Sequence, residues 1–289
     1  MNSDKLSLLI YTNETFLPIA ELSTFEYDKY FSDIDIKKYL VSNNFPENDL
    51  LNYNNFIKIN SEIPLENEGR HFAKVLIKAL KKIDTEFVLF TLDDLFIINY
   101  IKKNNLQLLI NFMVNENVDH LSLMSYGHNW DVMNINYKEY GIPDNYFLNF
   151  NTSYCHMITL QPMIWKTSSF IELLNYNLNI SLKEFDTSNF KNKKGENRSG
   201  FSSYGYYEID NNFWDFGFKH CCFNRFYENT PYSFDDRPLD GDYFLFLWTE
   251  VIAGGKFNFN RGHNCKIYLE KYLQEKNINR NNKLYQNFF

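Results

Sequence analysis

Cysteine is scarce in this chain. Only Cys155, Cys221, Cys222 and Cys265 occur among 289 residues, with no CxxC spacing, which excludes a disulfide scaffold. Adjacent Cys221 and Cys222 read as small buried hydrophobes. No run approaches the roughly 18 apolar residues needed to cross a bilayer. The opening MNSDKLSLLIYTNE lacks the basic and then apolar regions of a signal peptide, so a reducing cytoplasmic compartment is expected. Positive charge is also short: 29 Lys plus Arg face 36 Asp plus Glu, a net charge of -7. A protein that neutralises many phosphates of DNA or RNA needs the opposite balance, so no nucleic-acid partner is expected. Neither an internal repeat nor a composition shift marks a second independent domain. With 44% hydrophobic and 22% charged residues, the composition is that of a soluble globular protein, and wholesale disorder is excluded. The 18% aromatic content accompanies abundant Asn, Lys and Ile, a bias that AT-rich coding would produce, so it carries little functional weight.

The order of elements is informative. Residues 5–11 (KLSLLIY) read as a buried strand closing on Thr12-Asn13-Glu14, residues 16–34 as partly helical, and residues 36–41 (IKKYLV) as a second strand closing on Ser42-Asn43-Asn44. That spacing suits a βαβ unit with parallel strands. Residues 70–83 form the clearest helix, since Phe72, Val75, Leu76, Ala79, Leu80 and Ile83 fall on one stripe. Residues 87–92 (FVLFTL) have almost no polar member, as expected of a strand covered on both faces. A helix over 98–114, interrupted near Asn104-Asn105, strands over 118–125 and 156–160, and a short helix over 168–174 follow. The polar stretch 191–203 (KNKKGENRSGFSS) reads as a surface loop. Strands alternating with helices predict an α/β fold with a mainly parallel central sheet flanked by helices.

Asp93-Asp94 ends the most apolar strand, and ligands of open α/β sheets bind outside the carboxyl ends of strands. Two adjacent carboxylates suit Mg²⁺ or Mn²⁺, hard cations that share oxygen ligands with substrate phosphates. The alternative is one Asp capping the next helix and the other solvated.

The run Gly69-Arg70, HFAKVLIKALKKI, DTEFVLFTL, Asp93-Asp94-Leu95-Phe96 resembles the central region of GT-A type glycosyltransferases, the nucleotide-diphosphosugar transferases. Residues 158–174 (ITLQPMIWKTSSFIELL) resemble the Leu-Gln-Pro-x-Ile-Trp segment of a bacterial and viral subgroup. There a Glu-Phe-acidic segment follows, and Glu184-Phe185-Asp186 stands in its place. The resemblance covers residues 5–188. It implies a nucleotide-sugar-binding and catalytic domain over 1–190, with 191–289 an elaboration packed on the same domain. It also implies transfer of a sugar, with divalent-metal help, from a nucleotide-diphosphosugar to a hydroxyl acceptor in surface polysaccharide or glycan biosynthesis.

The family's DxD motif places its second Asp two residues after the first, where this chain has Leu95. In the register Leu92-Asp93-Asp94 the final Asp is kept, making Asp94 the metal ligand and Asp93 a contact to the ribose or, through water, to the metal. Leu95 also argues against a haloacid-dehalogenase type nucleophile. On this reading Thr12, Asn13, Glu14, Ser42 and Asn43 line the nucleoside pocket, or are plain turn residues. Arg70 meets the diphosphate at a helix entrance, or is an ordinary surface arginine. Asp186, with Glu184 as second candidate, is the base for an inverting transfer, or part of a solvated acidic loop. Gln161 and Trp165 form the acceptor side, although Trp165 also suits a core. His220-Cys221-Cys222 and His263-Asn264-Cys265 match no zinc spacing, and His71 and His128 have no recognisable partner. Rival readings are a non-catalytic nucleotide-sugar or glycan binding protein on the same fold, and a metal-dependent phosphohydrolase. The loop over 191–198 leaves peripheral membrane contact open.

Overall fold

The computed structural model describes residues 5–48, 50–97, 100–123, 146–149, 162–179, 181–182, 189–191, 197–199, 220–225, 248–253, 255–259 and 262–289. Its elements run β1 (Leu6–Tyr11), α1 (Leu17–Tyr30), β2 (Lys37–Ser42), β3 (Ile57–Asn60), α2 (Phe72–Leu80), β4 (Phe87–Leu92), β5 (Leu95–Ile97), α3 (Lys103–Asn115), β6 (His120–Ser122), β7 (Tyr146–Asn149), β8 (Met163–Lys166) and α4 (Thr167–Tyr176). Then follow β9 (Asn189–Lys191), β10 (Asn197–Ser199), β11 (His220–Arg225), β12 (Trp248–Glu250), β13 (Ile252–Ala253), β14 (Lys256–Phe257) and α5 (Gly262–Glu275).

Eight strands form the central sheet in the order β3-β2-β1-β4-β8-β6-β11-β7. The four from β3 to β4 are mutually parallel, as is the β6–β11 pair; β8 runs antiparallel to both β4 and β6, and β7 to β11. The fold is therefore α/β with a mixed, mostly parallel sheet flanked by helices. Strand β1 shows why the apolar runs read as doubly covered. Leu6, Leu8 and Ile10 pack with α1 and α3 on one face, while Leu9 and Tyr11 pack with α2 and α4 on the other. Apolar residues at every position but Ser7 suit a strand buried on both sides.

Several expectations need correction. Residues 95–97 belong to a short strand, and the helix begins only at Lys103, so Asn104 and Asn105 lie in its first turn rather than at a break. The connector read over 161–165 contains a strand, β8, whose Trp165 pairs with Val88 and His120. β10 lies within the stretch read as a surface loop and pairs antiparallel with β9, which ends at the first residue of that stretch. The strand expected over 156–160 lies outside the described residues.

The chain beyond 191 contributes β11 to the central sheet, and β12 pairs antiparallel with β5. A third apolar cluster joins Ile19 and Leu22 of α1 and Phe96 of β5 to Val251, Ile252, Phe257, Leu269, Tyr272 and Leu273. Phe96 is 1% exposed and meets the Tyr272 ring edge-on at 5.5 Å. Phe96→Ala is expected to cost about 3–5 kcal/mol, the usual range for emptying a buried aromatic site. A urea-unfolding midpoint unchanged by the substitution would contradict this packing.

Candidate functional site

From β1 the chain moves outward through β2 and β3, then returns to place β4 on the other side of β1. The connecting helices pack on opposite faces, α1 with one core cluster and α2 with the other. The gap between the carboxyl ends of β1 and β4 is therefore a topological switch point, where open α/β sheets form their ligand crevice. Thr12 follows β1 and Asp93 follows β4. The backbone joins them first, as Asp93 N–H donates to the Tyr11 carbonyl at 3.1 Å. The Thr12 hydroxyl then donates to Asp93 Oδ2 at 2.5 Å, with Thr12 1% and Asp93 7% exposed.

Burial dominates the electrostatics of Asp93. Its carboxyl pKa is pushed up to about 7, even though the Thr12 hydroxyl and the backbone N–H groups of Asp93 and Asp94 oppose the shift. The Asp93 charge and burial together raise the Tyr11 phenol well above its usual range, burial being the larger cause. Asp94 is half-buried, and its carbonyl accepts the Val251 N–H at 2.8 Å. The acidic turn is thus held from β4 on one side and from the C-terminal segment on the other.

The loops after β1 and β2 interlock. Asn43 Oδ1 accepts the Glu14 N–H at 2.8 Å, Asn13 Oδ1 accepts the Thr15 N–H at 2.9 Å, and Ser42 Oγ donates to the Asn44 carbonyl at 2.9 Å. Ser42 is 0% and Asn43 2% exposed. Both are thus buried and hydrogen-bonded within the loops, the turn chemistry that was the alternative to a nucleoside-lining role. Asn13 is half-buried and Glu14 exposed.

Arg70 and His71 precede α2 at this same edge. Arg70 is half-exposed, and its Nη1 donates to the Asn179 carbonyl at 3.1 Å. Gly69 sits at φ +70, where a side chain would be strained, and a Cβ there would lie 2.9 Å from the Leu182 Cβ. Sequence reasoning missed His71, which is 3% exposed and hydrogen-bonded through both ring nitrogens, to Tyr11 Oη and to the Glu66 N–H, each at 3.1 Å. Its position at the mouth of the best-defined helix was the available signal.

Trp165, expected on the acceptor side or in the core, is 0% exposed, stacks on Phe170 at 4.9 Å and 8°, and lies 4.1 Å from the His120 ring. Gln161, Glu184 and Asp186 lie outside the described residues, as do the side chains of both His–Cys groups.

Among the described residues no group of three or more His, Cys, Asp or Glu could hold a metal ion. The acidic pair fits a different kind of site. Mg²⁺ is commonly held by one or two carboxylates, with substrate phosphates and water completing the shell. Asp93 is buried and its Oδ2 already accepts the Thr12 hydroxyl, whereas Asp94 is half-buried. Of the two acidic residues, Asp94 is the more exposed.

No family model matches the chain, and no curated protein does. Solved structures with a similar chain path include S. aureus TarS, at 17% identity and a TM-score of 0.39 over 63% of this chain and 33% of that one. TarS 1–349 in complex with UDP-GlcNAc is 18% identical with a TM-score of 0.37, over 58% of this chain and 47% of that one. The mannosyltransferase PcManGT of Pyrobaculum calidifontis, in complex with GDP-Man and Mn²⁺, is 12% identical with a TM-score of 0.39, over 64% and 50%. The chain thus spans a third to a half of these proteins.

The Asp93 shift makes stability depend on pH. Folded, the carboxyl keeps its proton up to about pH 7; its unshifted value is 3.8. Between those values the folded state binds more protons, so this contribution is fully present below pH 3.8 and is lost as pH rises through about 7. Asp93→Asn, which keeps an acceptor for Thr12, should remove that loss and gain on wild type between pH 5 and 8, by at most about 4 kcal/mol. Parallel stability profiles for the two proteins, by urea unfolding in EDTA, would show that Asp93 is not shifted.

Proposed function

We propose that the protein is a GT-A type glycosyltransferase, moving a sugar from a nucleotide-diphosphosugar to a hydroxyl acceptor of a surface glycan. The observation that carries this reading is the buried Thr12–Asp93 hydrogen bond at the switch point, which presents two adjacent carboxylates where the fold admits a ligand. Asn13 and Glu14 would meet the nucleoside. The α2 N-terminus and Arg70, its guanidinium oriented by the Asn179 carbonyl, would receive the diphosphate. When bound, Mg²⁺ or Mn²⁺ at Asp94 and Asp93 would offset the diphosphate charge and act as a Lewis acid toward the leaving group. Asp186, with Glu184 as the alternative, is proposed as the base that takes the acceptor proton, and Gln161 as an acceptor contact.

The donor reading agrees with the charge balance. A chain with net charge -7 needs local positive charge to hold a diphosphate. The helix N-terminus, Arg70 and a divalent cation supply it. No helix among the described residues is long and apolar enough to cross a membrane; the proposed site of action is the cytoplasmic side, where nucleotide sugars are available.

Two observations favour a second reading, a non-catalytic nucleotide-sugar binder. Asp93 is buried and its Oδ2 already accepts the Thr12 hydroxyl, and Leu95 stands where the family's second Asp would be. Nucleoside diphosphate release from a panel of uridine and guanosine sugar nucleotides, with and without Mn²⁺, separates the two. Transfer predicts Mn²⁺-stimulated release that Asp94→Asn lowers about 100-fold or more, with an unchanged circular dichroism spectrum. Full activity in Asp94→Asn removes the metal role. Binding without release by wild type favours the binder.

A further inference from the structure

The protonation of His71 can be deduced from its two contacts. The Glu66 backbone N–H points at Nδ1 from 3.1 Å, so Nδ1 is an acceptor and carries no proton. The ring, whose pKa burial lowers, is therefore neutral with its proton on Nε2. That proton is donated to Tyr11 Oη, also 3.1 Å away. Tyr11 accepts in this bond, and its own O–H proton remains uncommitted: among the described residues its hydroxyl has no other hydrogen bond. Tyr11 is 4% exposed and sits edge-on against Phe72 at 4.9 Å, so packing confines the ring. A buried tyrosine hydroxyl normally donates to some acceptor.

The place of that donor is informative. Tyr11 is the last residue of β1, immediately before Thr12, and the Asp93 charge reaches its phenol. His71 is the residue before α2, next to Arg70. The hydroxyl therefore lies at the carboxyl end of β1, beside the residue that precedes α2. An anionic oxygen is the acceptor such a donor suits best.

We propose that the Tyr11 hydroxyl donates a hydrogen bond to the diphosphate of the bound nucleotide, and that His71 is the positioning residue that leaves its proton free to do so. This deepens the glycosyltransfer reading and rests on it. His71 acts only through Tyr11: as the Nε2–H tautomer it occupies an oxygen lone pair and turns the O–H away from itself.

Calorimetric titration of the full chain in Mn²⁺ with UDP, GDP and inorganic pyrophosphate tests this. Tyr11→Phe keeps the ring packing and should raise the Kd of whichever nucleotide wild type binds, and that of pyrophosphate, about tenfold or more, as expected for one bond to a charged group. His71→Leu should cause a similar loss, and the double variant no further loss, because both remove one bond. His71→Gln, which offers both an acceptor and a donor, should recover part of the affinity. Thermal midpoints provide the control, since a purely structural hydroxyl would lower them without moving Kd. If wild type binds no probe, the donor-binding reading falls and this inference falls with it. If wild type binds and Tyr11→Phe binds equally, this inference alone is overturned. Weakened UDP binding with unchanged pyrophosphate binding would refute the diphosphate assignment, and additive losses in the double variant would refute positioning by His71. Should His71→Leu fail to fold, Tyr11→Phe alone decides the hydroxyl's role.

Discussion

Strand β1 lies beside β4 with Tyr11 opposite Leu92, and the rest of the site depends on that register. It carries Thr12 and Asp93 past the ends of the two strands together, where a 2.5 Å hydrogen bond joins them out of water. A carboxyl held there meets two opposing demands. Burial disfavours its charge, while hydrogen bonding from Thr12 and the backbone favours it. Displacing the strands by one residue would turn the side chains to the opposite faces and break this arrangement.

The acidic turn is also held from its far side. Strand β5, directly after Asp94, is not part of the central sheet; its strand partner is β12. The Val251 N–H to Asp94 carbonyl bond extends that pairing to the turn itself. The C-terminal segment then locks β5 through Phe96 and Tyr272 against α1. Residues far apart in the chain therefore govern the geometry of two adjacent carboxylates. A precise cation or phosphate site needs such support, because loops alone hold side chains loosely.

Polar residues at the carboxyl edge divide into two groups. Ser42, Asn43 and Thr12 are consumed in fastening the loops to one another and to Asp93. Asn13, Glu14 and Arg70 keep exposed surface. His71 belongs to neither group: buried, neutral and bonded through both nitrogens, it links the loop before α2 to the end of β1. The same short polar residues that read as ligand contacts are also those that satisfy backbone groups in turns. Only the observed partners separate the two uses.

What the sequence determined by itself was the periodic part of the protein. Residues 87–92 were legible as a doubly covered strand because every side chain but Thr91 is apolar, and α2 because its stripe repeats at the helical interval. The position of Asp93-Asp94 at a strand end followed from those two elements. Strand β3, by contrast, alternates Ile57 and Ile59 with Lys58 and Asn60 over four residues, too short a pattern to stand out. Strand β8 was hidden because MIWK carries no period, and its Trp165 looked equally suited to a sugar and to a core. The tertiary structure decided which: burial depends on what the rest of the chain places on top, and Phe170 and His120 close over that ring. The same holds for the state of Asp93 and the tautomer of His71. Each depends on a hydrogen-bond partner many residues away, Thr12 for the first and Tyr11 for the second, and no local pattern encodes such a meeting.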